Sequence, residues 1–487
     1  MLHRATSADP LTFSSMSLPP LRTGDLPVRP PLWRALGPGV IWLALAQGSG
    51  ELIWWPYVVA KYGLGFLFLL IPACLLQWPL NVEIGRYTML TGETVWQGFA
   101  RLHRGFALGL WLLMAASFLW FGGFATAGGE ALAALTEFPA GWQPSEQKLF
   151  WGFASVAICF CALVFSRAAY AMIERVMFLV AVVTVVGLLW ACTHPEVRAG
   201  LPSFVRGLFV PEWPSGRTWD PADATRLLTA ITFAGLGGFW TLFYSSWLRE
   251  KGTGMARHMG RLTSPVTGRG EFVEDSGFAP ARNGELAARV RGWMRFLWVD
   301  AGIGVFGNLL TTLASCLLAW VLLFPHEKIP TAQDLVTFQA DYFALSWGAL
   351  GHTMFLVVAA AFLADTWLAT ADAVAHTHTE MTRIFFPAIA KRWTYRTTYY
   401  AWLVALTVIT SLTMARESPA TLILTSAVIG FVGTVLYSAA LVRLNYRLLP
   451  RLVPNEAAPS RRGGIVLMAV ATCYAVLAVL YGIALLG

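Results

Sequence analysis

The chain has 487 residues, 56% of them hydrophobic and only 13% charged, with 22 Trp and 31 Phe. This composition excludes an ordinary water-soluble protein and points to an all-α, multi-pass membrane protein whose partner is the lipid bilayer. The net charge of +8 falls on no basic soluble domain, so nucleic-acid binding is excluded and the excess is assigned to loops on one side of a membrane.

Residues 1–36 are rich in Pro, Ser and Arg, hold no apolar run and read as a disordered cytoplasmic tail without a signal peptide. Hydropathy then predicts helix 1 over about 37–60, helix 2 over 65–85, helix 3 over 106–135, helix 4 over 149–165 and helix 5 over 169–192. A loop rich in Pro and Trp leads to helix 6 at 225–248, and a Gly- and Arg-rich insert at 249–294 reads as flexible. Helix 7 follows at 296–324, an amphipathic interfacial stretch at 331–345, helix 8 at 348–375, helix 9 at 397–414, helix 10 at 419–445 and helix 11 at 463–486. With the N-terminus cytoplasmic and the C-terminus outside, the inside segments carry 27 Lys and Arg and the outside segments 8, the asymmetry expected of a bacterial inner or cell membrane protein. The six cysteines fall in or beside apolar runs without CxxC spacing and read as small buried hydrophobes.

One stretch breaks the apolar pattern. Gly48-Ser49-Gly50-Glu51 lies in the middle of helix 1, where glycine costs about 1 kcal/mol relative to alanine and a carboxylate at least about 2.5 kcal/mol. Helix 6 carries a matching glycine run, Gly235 to Gly238. The two lie five spans apart, so the second unit is inverted relative to the first. The chain therefore reads as a five-helix repeat at 37–192, a second at 225–445 and an extra C-terminal helix at 463–486. Paired interrupted helices are the sequence mark of a secondary-transporter binding site, with free N–H groups facing anions and free carbonyls facing cations.

Gly48, Ser49, Gly50, Glu51, Gly237, Gly238, Trp240 and Thr241 are thus the expected substrate-binding residues, with Glu51 the expected metal ligand. Glu130 of helix 3 and Asp365 and Asp372, seven apart on one face of helix 8, are candidates for coupling or for the pathway. Glu83 and Arg86 read as an intrahelical pair, Asp300 as interfacial, and His376 and His378 as loop residues. No nucleotide motif is present, so a gradient rather than ATP is expected to drive transport, and neither a cofactor nor an enzymatic activity is expected.

Gly37-Pro38-Gly39 at the start of helix 1, the break ten residues later, Thr91-Gly92 after helix 2 and the eleven-span layout resemble the natural resistance-associated macrophage protein (Nramp) divalent-metal transporters. The resemblance implies a leucine-transporter-type fold and proton-coupled import of manganese, iron and similar ions. The family's metal-binding Asp and Asn of helix 1 fall on Gly48 and Glu51 here, and its Met-Pro-His of helix 6 falls on Gly238-Phe239-Trp240. The resemblance therefore implies a divergent branch with a harder, magnesium-like cation as substrate. Two other readings stand beside it. The Gly-Ser-Gly break also resembles that of amino-acid and organocation carriers, and a non-transporting membrane sensor or embedded enzyme could occupy the same scaffold.

Overall fold

The computed structural model of the chain describes residues 18–46, 53–166, 169–213, 218–264, 266, 273–327, 329, 337–416 and 419–486. Among them, nine helices are long and apolar enough to cross a bilayer: Leu67–Thr91, Arg104–Thr136, Pro144–Phe165, Ala169–Ala191, Leu286–His326, Gly348–Phe385, Tyr395–Met414, Ala420–Leu452 and Arg461–Ala484. These are helices 2, 3, 4, 5, 7, 8, 9, 10 and 11. Helix 1 consists of Pro38–Ala46 and Trp54–Tyr62, and helix 6 of Ala224–Phe233 and Trp240–Lys251. Each piece has 9 to 12 residues. At about 1.5 Å per residue no piece spans the hydrocarbon alone.

The packing repeats with a period of five helices. Helix 1 packs on helices 5 and 7, as helix 6 packs on helices 10 and 2. Helix 3 packs on helices 4 and 10, as helix 8 packs on helices 9 and 5. The contacts of helix 2 with helix 7 and of helix 3 with helix 8 map onto themselves under this exchange. Two inverted five-helix units are therefore packed about a pseudo-twofold axis. Apolar side chains such as Ile158, Phe178, Val479 and Ile483 project outward from helices 4, 5 and 11, as a lipid-facing perimeter requires.

The face where helix 1 begins, called the tail face here, is more ordered than its composition suggests. Strand β1 (Arg22–Gly24) pairs in parallel with β2 (Phe278–Pro280), joining the tail to the insert. Leu26 is fully buried, and the Pro27 carbonyl accepts from the Trp293 indole at 2.8 Å. Glu93, just past helix 2, accepts from Tyr87 at 2.8 Å, from Arg101 at 2.6 and 2.7 Å and from the Gly277 N–H at 3.0 Å. Gly92 closes helix 2 at a left-handed φ of 72° and so turns the chain toward this anchor. Neither segment has a core of its own. The described part of each is ordered by partners some 250 residues away, which local composition cannot reveal; residues 1–17, 265 and 267–272 lie outside the described residues.

Two expectations for helices 7 and 8 are corrected. His376 and His378 are buried within helix 8, which continues to Phe385 because Trp111, Tyr395 and Trp402 cover its polar last turns. Asp300 is not interfacial but fully buried. Its carboxylate accepts from the Gly37 N–H at 3.2 Å, the Gly39 N–H at 2.8 Å and the Tyr244 hydroxyl at 2.8 Å. It thereby caps the start of helix 1 and ties it to helices 6 and 7. A Cβ on Gly39 would lie 1.9 Å from the Asp300 carbonyl oxygen, which accounts for the glycine there. The Glu83–Arg86 pair is present, at 2.9 and 3.0 Å. Replacing Asp300 by Ala leaves three buried donors without an acceptor and should lower stability by on the order of 3 kcal/mol in detergent-phase unfolding. A melting point equal to the parent's would contradict the capping role.

Candidate functional site

Helix 6 opens at one place. Its first half ends when the Ala234 N–H bonds to the Ala230 carbonyl, and Gly235, Leu236, Gly237 and Gly238 all have positive φ (75°, 87°, 35° and 58°). Only glycine fits at 237, where a Cβ would lie 1.4 Å from the Thr232 carbonyl oxygen. At 238 the Cα of Gly430 on helix 10 lies 3.5 Å from where a Cβ would be.

The opened backbone is held by side chains. The Gly235 N–H donates to Asn308 Oδ1 at 2.9 Å, and the Gly235 carbonyl accepts from the Trp42 indole at 2.9 Å. The Gly238 carbonyl accepts from the Tyr437 hydroxyl at 2.8 Å. Thr241 donates to Gln77 Oε1 at 3.2 Å, and Gln77 Nε2 donates to the Tyr474 hydroxyl at 2.7 Å. Asn308 Nδ2, Thr232 Oγ1 and Asn81 Oδ1 are buried without a partner among the described residues. The groups named at the opening are all uncharged amides, hydroxyls and carbonyls. No group of three or more His, Cys, Asp or Glu is arranged to hold a metal ion among the described residues.

Gly48, Ser49, Gly50 and Glu51 lie outside the described residues, between the two pieces of helix 1. Gly237 and Gly238 form the opening of helix 6, and Trp240 and Thr241 begin its second half. Trp240 donates to Thr370 at 2.9 Å, and its ring is enclosed by Phe118, Phe121, Phe124 and Phe233, a packing role. Glu130 is half-buried on helix 3, away from these groups in sequence. The Asp365 side chain lies outside the described residues, whereas Asp372 is buried and accepts from Tyr399 at 2.5 Å. Sequence inspection missed Gln77, Asn308, Tyr437 and Tyr474. The two amides inside apolar spans were the available signal for the first pair; the tyrosines offered none.

From Asp372 a file of buried polar groups runs toward the tail face. His376 Nε2 lies 3.6 Å from Asp372 and 4.0 Å from Glu250, and its Nδ1 lies 2.9 Å from the Tyr395 hydroxyl. Arg249, 2% exposed, pairs with Glu380, which also accepts from Thr94. The file ends at a cavity of about 240 Å³ lined by Gln97, Arg249, Glu380, Arg383 and Tyr395, with Pro19 of the tail at its edge.

The opposite face is joined by a second cluster. Asp223, just before helix 6, accepts from Tyr57 at 3.0 Å and Tyr62 at 2.6 Å and pairs with Lys61 at 2.6 Å. Arg226 pairs with the same carboxylate, and Lys61 also reaches Asp220 at 3.0 Å. Burial alone would lift the Asp223 carboxyl, but hydrogen bonds from Lys61, Tyr62 and Arg226 outweigh it and hold the group below the usual carboxylate range. The Lys61 hydrogen bond likewise lowers Asp220.

Solved structures share the fold. Two variants of a manganese transporter from Eremococcus coleocola superpose with TM-scores of 0.64 and 0.63 at 15% and 14% identity, covering 95% of this chain and 90% of theirs. MhsT in complex with L-phenylalanine superposes with a TM-score of 0.57 at 14% identity, covering 92% of this chain and 98% of that one. The fold is of the leucine-transporter type. No protein-family model matches the chain, and no curated protein matches it. The described pieces of helix 1 pack against helix 6, and Trp42 of the first piece reaches the opening at the Gly235 carbonyl.

Two outcomes follow for the site. Gly237→Ala cannot be accommodated without displacing the Thr232 carbonyl and should abolish a folded monodisperse peak in detergent chromatography, whereas Gly482→Ala, with open space around it, should not. Asp223→Asn removes one partner of a buried ion pair and should cost about 3 kcal/mol at neutral pH. Because the Asp223 pKa is depressed, its contribution is complete above about pH 4 and is lost as pH falls through the lowered value. The difference in melting temperature between parent and variant should therefore shrink progressively on acidification, and a gap that does not change with pH would contradict the assignment.

Proposed function

We propose that the chain is a secondary-active transporter, a divergent relative of the Nramp carriers, whose substrate is a hard divalent cation such as magnesium. The observation that supports this most is the chemistry of the helix 6 opening. Its neighbours include Gln77, Thr232, Thr241 and Asn308, all oxygen or amide bearing, with no thioether or imidazole among these four. The Gly235 and Gly238 carbonyls are already hydrogen-bonded to Trp42 and Tyr437, so they offer little direct ligation to a dehydrated ion. A small cation that keeps several waters and takes one carboxylate suits such a site, and Mg²⁺ dehydrates reluctantly. Glu51 is the carboxylate assigned to it. The neutral amides and hydroxyls would receive the ion's waters.

The Asp372–His376–Glu250 file is the proposed route for a coupling proton, since it is buried, titratable and continuous toward the tail face. The tail face is taken as cytoplasmic from the charge asymmetry.

Reconstituted liposomes test both parts. The parent should take up magnesium faster under an inward proton gradient. Glu51→Gln should lose at least about 90% of the flux, since one charged ligand to a hard cation contributes several kcal/mol. Asp372→Asn should retain uptake down a magnesium gradient but lose its response to pH. Amino-acid flux with no divalent-cation response would replace this reading by that of an amino-acid carrier.

A further inference from the structure

Helix 8 ends at Phe385 and helix 9 starts at Tyr395, so residues 386–394 lie where the chain turns at the membrane surface. The turn contains the short helix Pro387–Arg392 and is flanked by Phe386 and Trp393, 50% and 48% exposed. Exposed aromatics between two spans are the mark of the headgroup layer. Beneath the turn lies a cavity of about 490 Å³, within the roughly 300–1,000 Å³ range of small-molecule sites. Its lining includes Arg383, Lys391, Arg392 and Arg396, together with Thr263 and Val273 of the insert.

Among the described residues, the basic groups lining this cavity outnumber their carboxylate partners. Arg383 is committed to Asp275 through two bonds of 2.7 Å. No ion pair joins Lys391, Arg392 or Arg396 to a carboxylate among the described residues. Three cations thus converge on one concave site at headgroup depth, on the face where basic residues concentrate. Like charges on one concave surface repel one another, weakly through water, and a bound anion offsets that repulsion.

We propose that this cavity binds the phosphate of an anionic phospholipid headgroup. Two features favour a lipid over a free phosphate: the cavity is built on the turn between the ends of two spans, and the half-exposed Trp393 lines it, an indole of the kind that meets the glycerol and upper acyl region. Basic pockets between membrane helices recognise acidic headgroups in this way, each surface cation contributing about 1 kcal/mol. Because the insert forms one wall, an occupied site also ties the insert to the helix 8–helix 9 turn, beside the Arg249–Glu380 cavity.

The test uses the full-length protein, delipidated in an uncharged detergent. Retention of phosphatidylglycerol, phosphatidylcholine and glycerol phosphate is read by native mass spectrometry, and thermal shift is measured with the same additives and with inorganic phosphate. The parent should retain phosphatidylglycerol and gain stability from it, with no such effect from the other three. The triple variant K391Q/R392Q/R396Q, altered at surface positions, should weaken retention by on the order of 100-fold. The control K148Q/R198Q, on the opposite face, should behave as the parent. Equal retention by parent and triple variant, or equal loss in the control, overturns the site. A shift with inorganic phosphate matching that with phosphatidylglycerol overturns the lipid as its source.

Discussion

The structure depends on one constraint: a peptide group that leaves a helix within a membrane must find a partner inside the protein. Helix 6 leaves its helix over Gly235 to Gly238, and each neighbouring element contributes to the repair. Asn308 comes from helix 7, Trp42 from helix 1, Tyr437 from helix 10 and, through Thr241, Gln77 from helix 2. The bundle is thus assembled around the opening as much as around its apolar core. Removing any one donor or acceptor leaves a buried group unpaired, at about 1–3 kcal/mol. This also explains the glycine at 237, since the backbone there passes against the Thr232 carbonyl.

The ends of the two-piece helices are secured differently on the two faces. On the tail face Asp300 caps helix 1 with neutral donors, and the tail and insert fold over the same region through β1 and β2. On the opposite face Asp223 gathers two tyrosines, Lys61 and Arg226 around the start of helix 6. Each carboxylate joins helix 1 to helix 6 or to its immediate support. In the transporter proposed above, movement of one repeat against the other would have to break or carry along one of these clusters.

Much of the fold was legible in the sequence because membrane spans announce themselves. Eleven crossings follow from hydropathy, and the five-helix inversion follows from two glycine runs in equivalent spans. The packing of helix 1 on helices 5 and 7 and of helix 6 on helices 10 and 2 agrees with that inversion. The site was legible only in part. Gly237 announces an opened backbone because nothing else tolerates its position, but Tyr437 and Tyr474 look like any aromatic in a membrane helix. His376, His378 and Asp300 were misplaced because a polar run near the end of a span resembles a loop. Only partners from distant helices, such as Trp111 and Tyr395 around the histidines and Gly37 and Gly39 around Asp300, show that these groups are buried. The order of the tail and insert was hidden for the same reason, since their hydrogen-bond partners belong to each other and to Glu93.

The central claim is that a hard divalent cation binds where the pieces of helices 1 and 6 meet. Manganese shares magnesium's preference for oxygen ligands and scatters X-rays anomalously, so it serves as a visible substitute. An anomalous difference map from crystals of the full chain grown with manganese is the most direct measurement. The account predicts one strong peak beside Gly237 and Gly238, within reach of Glu51 and ringed by waters that contact Gln77, Thr241 or Asn308. A peak confined to the Asp223 cluster or the tail-face cavity, or no peak at saturating manganese, would contradict it.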